Sequence, residues 1–321
     1  MESYIFRTSC ETLGYFQKSG NACHLYLENE FFPINQSFDW NEWAQYDTEA
    51  QTQSLPKTTL NDPISSAISY FIWQCHGETS PDVVELGESI LPAGDYFKRI
   101  NRHGARLFEK IRRQHSTIDE VRSYNNLASA MADIFNVIEP DQKNKDAYGH
   151  KIRELLTIAC TEVEYLFLQI LKDNGYTSPR YSTNDYVKIL PTLKLAEYSA
   201  ELKMHPSMGI FSPFQNWNSG KPTESLSWYS SYNAAKHDRG GNFHKATLEA
   251  MINAIAAVHI LLEAQYGKNL FESPLHSDYE SCFQTIKYAK WGCDEMTSPL
   301  IELTEKISWN NAREFFIINP V

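Results

Sequence analysis

The sequence predicts a mainly α-helical protein of 321 residues. Beyond about residue 60, apolar side chains recur at three- and four-residue intervals through several long stretches, which is the spacing of an amphipathic helix. Glycines stand where several of these repeats stop, as expected at helix C-termini. The composition is 42% apolar and 13% aromatic, which is enough for a sizeable core. We therefore expect packed helices, with a short β element in the less regular N-terminal part.

The N-terminal part, residues 1–142, is predicted to be mostly helical. Its first sixty residues hold one strand candidate, at residues 23–35. Apolar residues at helical spacing predict a helix over residues 63–77 and another over 117–138. Between them, residues 93–114 form a basic amphipathic pattern, which is either a phosphate-facing helix or a solvated helix face. A sensor or partner-binding role is the hypothesis for this part.

The second part, residues 143–270, is predicted to be a helical bundle. Its boundary with the first part lies in the polar segment at 139–146. A long helix over 147–174 has a wide apolar stripe and ends before Gly175. Residues 271–321 give few signals and are predicted to be a C-terminal extension packed on the bundle. The remaining segments of the second part are predicted as two short helices and a loop, at residues 180–188, 192–202 and 208–221.

The junction between the last two predicted helices is the best candidate for a functional site. One helix is predicted from about Thr223 to Gly240-Gly241, and a second from Asn242, as its N-cap, to Gly267. A junction that only connects two packed helices requires the glycines and a cap. It does not require a concentration of basic and amide side chains. The polar candidates at the junction are Asn233, Lys236, His237, Arg239, Asn242 and His244.

The same residues carry a resemblance to a known family. The pattern YNxxKHxR runs from Tyr232 to Arg239, and His244 follows the arginine at Arg-x4-His spacing. With the long helices on either side, residues 147–267 resemble the bacterial HEPN-like helical proteins, whose ribonucleases carry an Arg-x4–6-His signature. In those ribonucleases the residue after the arginine is usually polar, and here it is Gly240.

The resemblance implies a metal-independent endoribonuclease with RNA as its substrate. Several members of the family belong to toxin–antitoxin or phage-defence systems, so an antitoxin or defence partner is expected. Two copies of the motif usually meet across a dimer, which implies a homodimer. The resemblance also covers modules that bind RNA, a nucleotide or a protein without cleavage, and these are the alternative. The implied catalytic residues are Arg239 and His244, and the implied RNA-binding residues are Asn233, Lys236, His237 and Asn242.

The residue types at the junction suit the chemistry of RNA cleavage. The planar guanidinium of Arg239 can hold two phosphate oxygens and stays charged at any accessible pH. We expect His244 in the first turn of the last long helix, where the helix dipole lowers its pKa and favours the neutral imidazole that can act as a base. His237 is the rival for the acid–base role.

A less favoured interpretation begins with the adjacent pair His237-Asp238. This pair resembles the HD phosphohydrolases, which are helical enzymes that bind a metal ion. The upstream histidine would have to be His150 or His205, and the apolar helix after the junction offers no further aspartate. Two adjacent ligand types do not make a metal site. We therefore predict no metal and no cofactor.

Charge and composition restrict the cellular setting. The net charge of −11 argues against a generally basic nucleic-acid surface, so any RNA contact must be local. The six cysteines show no CxxC pair, which is typical of reduced thiols in the cytoplasm. The N-terminus has no signal-peptide pattern, and the most apolar run, residues 252–262, is short for a membrane span. We expect a cytoplasmic protein without membrane contact.

Overall fold

The computed structural model shows a mixed α/β protein with 47% helix and 20% strand. It describes residues 1–27, 33–50, 60, 62–103, 115–268, 270–271, 280–302 and 307–320, without the side chains of residues 48–50, 78, 115 and 239. The prediction of a mainly α, or all-α, fold is therefore wrong. Several antiparallel sheets are present, and the largest has five strands.

Both helices and strands occur throughout the described part of the chain. The helices are α1 Trp40–Ala50, α2 Pro63–His76, α3 His115–Phe135, α4 His150–Asp173, α5 Thr183–Tyr186, α6 Ile189–Thr192, α7 Ser227–His237, α8 Arg239–Asn242, α9 Leu248–Tyr266 and α10 Phe315–Ile318. The strands are β1 Glu2–Thr8, β2 Leu13–Ser19, β3 Ala22–Leu27, β4 Ile34–Asp39, β5 Val83–Glu88, β6 Asp95–Phe97, β7 Ser199–Leu202, β8 Ile210–Phe211, β9 Phe283–Lys287, β10 Leu300–Ile301, β11 Ile307–Ser308 and β12 Asn311–Arg313.

The first compact unit comprises Met1–Tyr96 and Trp291–Arg313. Its five-stranded sheet has the order β4-β3-β2-β1-β5, and the four N-terminal strands form an antiparallel meander. Helix α2 begins at Asp62, whose carboxylate accepts from the backbone N–H groups of Ile64 and Ser65. The apolar face of α2 packs on the sheet in one buried cluster.

Strand β2 shows why the N-terminal region did not look like a sheet in the sequence. Phe16 lies under α2, where its ring stacks on Phe71. The amide of Gln17 donates on the other side to the hydroxyl of Ser298, at 3.0 Å. Gln17 and its neighbours Tyr15 and Phe16 are all buried. A strand covered on both faces loses the alternation of apolar and polar residues by which strands are recognised, so a mostly helical region was predicted wrongly.

The second unit comprises Phe97–Lys290 and Glu314–Val321. Helices α3, α4 and α7 pack around α9, and the small sheet β8-β7-β9 contacts α9 as well. Every residue of α9 except Glu249 and Asn253 is buried. By length and composition α9 could cross a membrane, but 89% of its apolar window is buried inside this unit, as in the core helix of a globular domain.

The long helices of the second unit were predicted, and so was one short helix, because α5 lies within the predicted residues 180–188. The predictions over 117–138 and 147–174 are confirmed by α3 and α4. The predicted short helix over 192–202 ends instead in strand β7, because Ala200 and Leu202 are buried in a sheet. Strand β6 lies where the first turn of the basic helix over 93–114 was predicted. Residues 104–114 of that prediction lie outside the described residues. The predicted boundary between residues 142 and 143 falls inside this unit, between α3 and α4, and the three-part division stays a prediction.

A buried arginine joins three of the helices in this unit. Arg99 is 8% exposed, and its guanidinium lies 2.8 Å from the carboxylate of Glu120. It also donates to Asp173 on α4, to the side-chain oxygen of Gln265 at 2.9 Å and to the hydroxyl of Tyr266 at 3.0 Å. Burial alone would lower the pKa of Arg99, but Tyr266 and Glu120 raise it above its usual value. The charge is therefore retained and paired inside the unit.

Replacing Arg99 by methionine should destabilise the second unit by about 3–5 kcal/mol, because the buried carboxylate of Glu120 loses its counter-charge. Urea denaturation followed by circular dichroism measures the change. Arg122→Met, which removes an exposed pair with Asp119, is the matched control and should cost less than about 1 kcal/mol. Adding Glu120→Gln to Arg99→Met should recover part of the loss. Equal effects of the two arginine substitutions would contradict this account.

Candidate functional site

Helix α7 leads into the candidate junction and is held by its apolar face. The residues Trp228, Tyr229, Tyr232 and Ala235 are buried. The predicted helix is confirmed, although it begins at Ser227 and not at about Thr223. The indole N–H of Trp228 donates to the carbonyl of Pro213 at 3.0 Å, so that this large ring is also fixed by a hydrogen bond. The helix ends at His237, and the side chains on its opposite face reach solvent.

Asp238 holds the turn that follows α7. Its carboxylate accepts from the backbone N–H of Gly241 at 3.2 Å and from the side-chain amide of Asn242 at 3.1 Å. The short helix α8 follows, and then a single tight turn over Phe243–Lys245. Both carboxylate oxygens of Asp238 therefore accept hydrogen bonds within the turn.

The long helix starts later than the sequence suggested. Its N-cap is Thr247, whose hydroxyl accepts from the backbone N–H of Ala250 at 3.2 Å, so the prediction of Asn242 as N-cap is wrong. His244 lies before α9 and not in its first turn. The prediction that the dipole of this helix acts on His244 is therefore wrong.

The predicted site residues differ in how they are presented. Lys236, His237 and His244 are exposed, whereas Asn233 and Asn242 are half-buried. The backbone of Arg239 opens α8, but its side chain lies outside the described part of the structure. In addition, Lys245 is exposed directly after His244, although it was not among the predicted residues. The exposed members are close in sequence on one short stretch, residues 236–245.

Lys236 is held by a tyrosine on its own helix. Its ammonium donates to the hydroxyl of Tyr232 at 2.8 Å and lies 5.0 Å from the centre of that ring. One turn earlier, the hydroxyl of Tyr229 donates to the carboxylate of Glu164 on α4 at 2.7 Å. The hydrogen bond with Tyr232 raises the pKa of Lys236, and the nearby charge of Glu164 raises it further. Lys236 is therefore a fixed cation at the edge of the junction.

Sequence reasoning missed Glu164 and two aromatic neighbours of the junction. No pattern in the sequence connects Glu164 to the junction, because only the packing of α4 against α7 reveals its partner Tyr229. Tyr148 and His150 both contact the ring of Phe243. His150 had been considered only as a metal ligand. The four-residue spacing of Tyr232 and Lys236 could indicate that their side chains meet on one helix. Contacts between distant segments leave no comparable pattern in the sequence.

A second polar cluster lies deep in the same unit, around His259 of α9. One ring nitrogen of His259 is 2.9 Å from the hydroxyl of Ser281, and the other is 2.8 Å from the hydroxyl of Thr285. Thr285 donates in turn to the carboxylate of Glu263. His259 is completely buried, so this chain of hydrogen bonds satisfies polar groups inside the core and has no access for a substrate.

We expect Tyr232→Phe to make Lys236 more reactive toward an acylating reagent, because the hydrogen bond that raises the pKa of the ammonium is lost. Limited acetylation at pH 9, followed by mass spectrometry of the peptide that contains Lys236, measures this reactivity. Tyr229→Phe is the matched control, since it removes a phenol on the same helix but keeps the bond between Tyr232 and Lys236. Unchanged acetylation in Tyr232→Phe would contradict the assignment.

The stability of the second unit should decrease as the pH falls from about 6.5 to about 3. Burial, together with the charge of Lys203, lowers the pKa of His259 to about 3, whereas an unfolded histidine titrates near pH 6.5. In this window the unfolded chain binds a proton that the folded chain does not, which costs up to about 1.4 kcal/mol per pH unit. His259→Gln should reduce this pH dependence in urea denaturation, and an unchanged slope would show that His259 is not its source.

Neither a metal site nor a comparison with known proteins assigns a function to the junction. Within the described ranges, no group of three or more His, Cys, Asp or Glu side chains is arranged to hold a metal ion, so the HD interpretation gains no support. Comparison of the chain with models of protein families, with curated proteins and with solved structures finds no match in any of the three. The local geometry of the junction is therefore the basis for any functional proposal.

Proposed function

We propose that the protein is a metal-independent endoribonuclease of HEPN type that acts at the junction of residues 236–245. One observation carries the proposal. In a chain of net charge −11, this stretch exposes Lys236, His237, His244 and Lys245, while its only carboxylate, Asp238, is used by the turn. A local cationic site with two imidazoles is what an acidic protein requires in order to bind and cleave RNA.

The reaction needs a base, an acid and positive charge at the phosphate. The 2′-hydroxyl oxygen attacks the adjacent phosphorus as its proton passes to a base, and the bond from phosphorus to the 5′-oxygen breaks as that oxygen receives a proton. In the proposal His244 carries one of these proton transfers, and His237 is the rival residue. Arg239 stabilises the charge that develops on the phosphoryl oxygens. Lys236, with its fixed ammonium, and the amides of Asn233 and Asn242 bind the flanking phosphates.

The alternative is a module that binds RNA or a nucleotide, or interacts with a protein, without cleavage. It is favoured by the position of His244 before the long helix, outside the first turn that was predicted for it. The binding residues have the same tasks in both proposals, so the two differ only in proton transfer. A homodimer and an antitoxin or phage-defence partner, which the family resemblance implies, belong to both proposals.

Purified protein should cleave RNA in excess EDTA, and His244→Ala should lower the rate by roughly 10²–10⁴-fold, the usual contribution of a general acid or base. Arg239→Ala should lower it by roughly 10²–10³-fold. Lys221→Ala, which removes an exposed lysine in the loop before α7, is the matched control and should cleave like the wild-type protein. Gel analysis of a labelled RNA over time measures all four rates.

Three outcomes would each oppose the enzyme proposal. Full activity in both His244→Ala and Arg239→Ala would show that the junction is not catalytic. Loss of cleavage in EDTA with recovery in manganese would point to a metal-dependent enzyme. Binding without cleavage, weakened by Lys236→Ala, would favour the non-catalytic module.

A further inference from the structure

We propose that Tyr148, His150 and Phe243 form a surface on which unpaired bases of single-stranded RNA stack beside the junction. This inference rests on the proposed function, and it adds the class of substrate and a second set of binding residues. The three side chains are called the aromatic surface below. They come from two distant segments of the second unit, the start of α4 and the turn between α8 and α9.

The rings of the aromatic surface contact one another. The centre of the Phe243 ring is 5.7 Å from that of Tyr148 in an edge-to-face arrangement, and 4.9 Å from that of His150 with an angle of 42°. Tyr148 is 54% exposed, and His150 is exposed as well. Phe243 is half-buried between them, so three adjoining rings offer aromatic faces to a ligand.

Backbone pairing holds the two segments together, so the aromatic surface is preformed. Tyr148 and Thr247 form an isolated antiparallel bridge. The N–H of Leu248 donates to the carbonyl of Ala147 at 2.8 Å, and the N–H of Glu249 donates to the carbonyl of Lys145 at 3.0 Å. The backbone that carries the rings is therefore held in place, and a ligand would not have to order it on binding.

Each side of the aromatic surface carries a histidine followed by a lysine. His150-Lys151 continues the segment of Tyr148, and His244-Lys245 continues that of Phe243. All four of these side chains are exposed, although Lys151 lies 3.2 Å from Glu154. Aromatic faces interleaved with cationic side chains are how proteins bind single strands, since bases stack on the rings while the cations contact the phosphates.

The aromatic surface also connects the proposed cleavage residue to an open groove. Phe243 is adjacent in sequence to His244, so a base stacked on the surface would place its neighbouring phosphate near that imidazole. On the other side, His150 lines a groove of about 630 Å³ between α3 and α4, together with Ile134, Ile152 and Leu155. The groove is mostly apolar, and a base that leaves the stack could enter it.

The chemistry favours a single strand over a duplex. Bases of a duplex are already stacked and paired, so only unpaired bases can present a free face to these rings. A duplex would instead require an extended basic surface, and the net charge of −11 makes such a surface unexpected. Acidic residues also lie beside the aromatic surface, at Asp146, Glu154 and Glu249, which limits the purely electrostatic part of binding.

Fluorescence anisotropy with a labelled twelve-nucleotide RNA tests the inference. The RNA carries 2′-O-methyl groups, so that it cannot be cleaved, and it is used as a single strand and as a duplex with its complement. Tyr148→Ala should weaken binding of the single strand by roughly 5- to 100-fold, the range for loss of one stacked base. Tyr148→Phe should keep most of the affinity, because it keeps the ring.

Tyr165→Ala is the matched control, because Tyr165 is also an exposed tyrosine, 41% exposed, on α4. It should bind the single strand like the wild-type protein, and circular dichroism should show all variants folded. Equal affinity of wild-type protein and Tyr148→Ala would overturn the inference, as would equal binding of the duplex or no binding of either RNA.

The outcome is separable from that of the proposed function. Binding that depends on Tyr148, without cleavage of ordinary RNA, would keep the aromatic surface and remove the enzyme. Cleavage that depends on His244, with a KM that is unaffected by Tyr148→Ala, would keep the enzyme and remove the aromatic surface.

Discussion

Burial of α9 on all of its sides is the constraint on which the second unit depends. A helix of 19 residues with only Glu249 and Asn253 partly or fully accessible must be covered by other elements in every direction. Helices α3, α4 and α7 and the small sheet supply that cover. Each fully buried Leu, Ile, Val or Met side chain contributes roughly 1.5–3 kcal/mol relative to exposure. The position of α7, and with it the start of the candidate junction, follows from this packing.

The same burial forces the polar groups of α9 to find partners. A buried polar group without a hydrogen bond costs about 1–3 kcal/mol, and an unpaired charge costs more. His259 and Glu263 are connected through Thr285, while Gln265 and Tyr266 bond to Arg99. These two networks serve the core, whereas the exposed cations at residues 236–245 are accessible to a ligand.

The sequence predicted those parts of the fold that depend on a single segment. An apolar stripe at helical spacing is complete within one helix, so α3, α4, α7 and α9 could be predicted. The five-stranded sheet could not, because β2 is covered on both faces and its partners lie elsewhere in the chain. The start of α9 was predicted at Asn242 and lies at Thr247, because both residue types can cap a helix and only the folded chain selects between them. Lys236 was predicted as a site residue, and helical spacing places its partner Tyr232 one turn before it. The nearby Glu164 is revealed only by the packing of α4 against α7.

The two glycines of the junction have different physical roles. A Cβ atom on Gly241 would lie 2.7 Å from a carboxylate oxygen of Asp238, so a side chain there would displace the cap that holds the turn. A Cβ atom on Gly240 would lie 3.8 Å from the nearest Asp238 oxygen, which is an ordinary contact. The turn therefore favours glycine at position 241, whereas the fold of the junction would accept a side chain at 240. A polar residue after Arg239, which the resembling ribonucleases usually carry, could be introduced there without displacing the Asp238 cap.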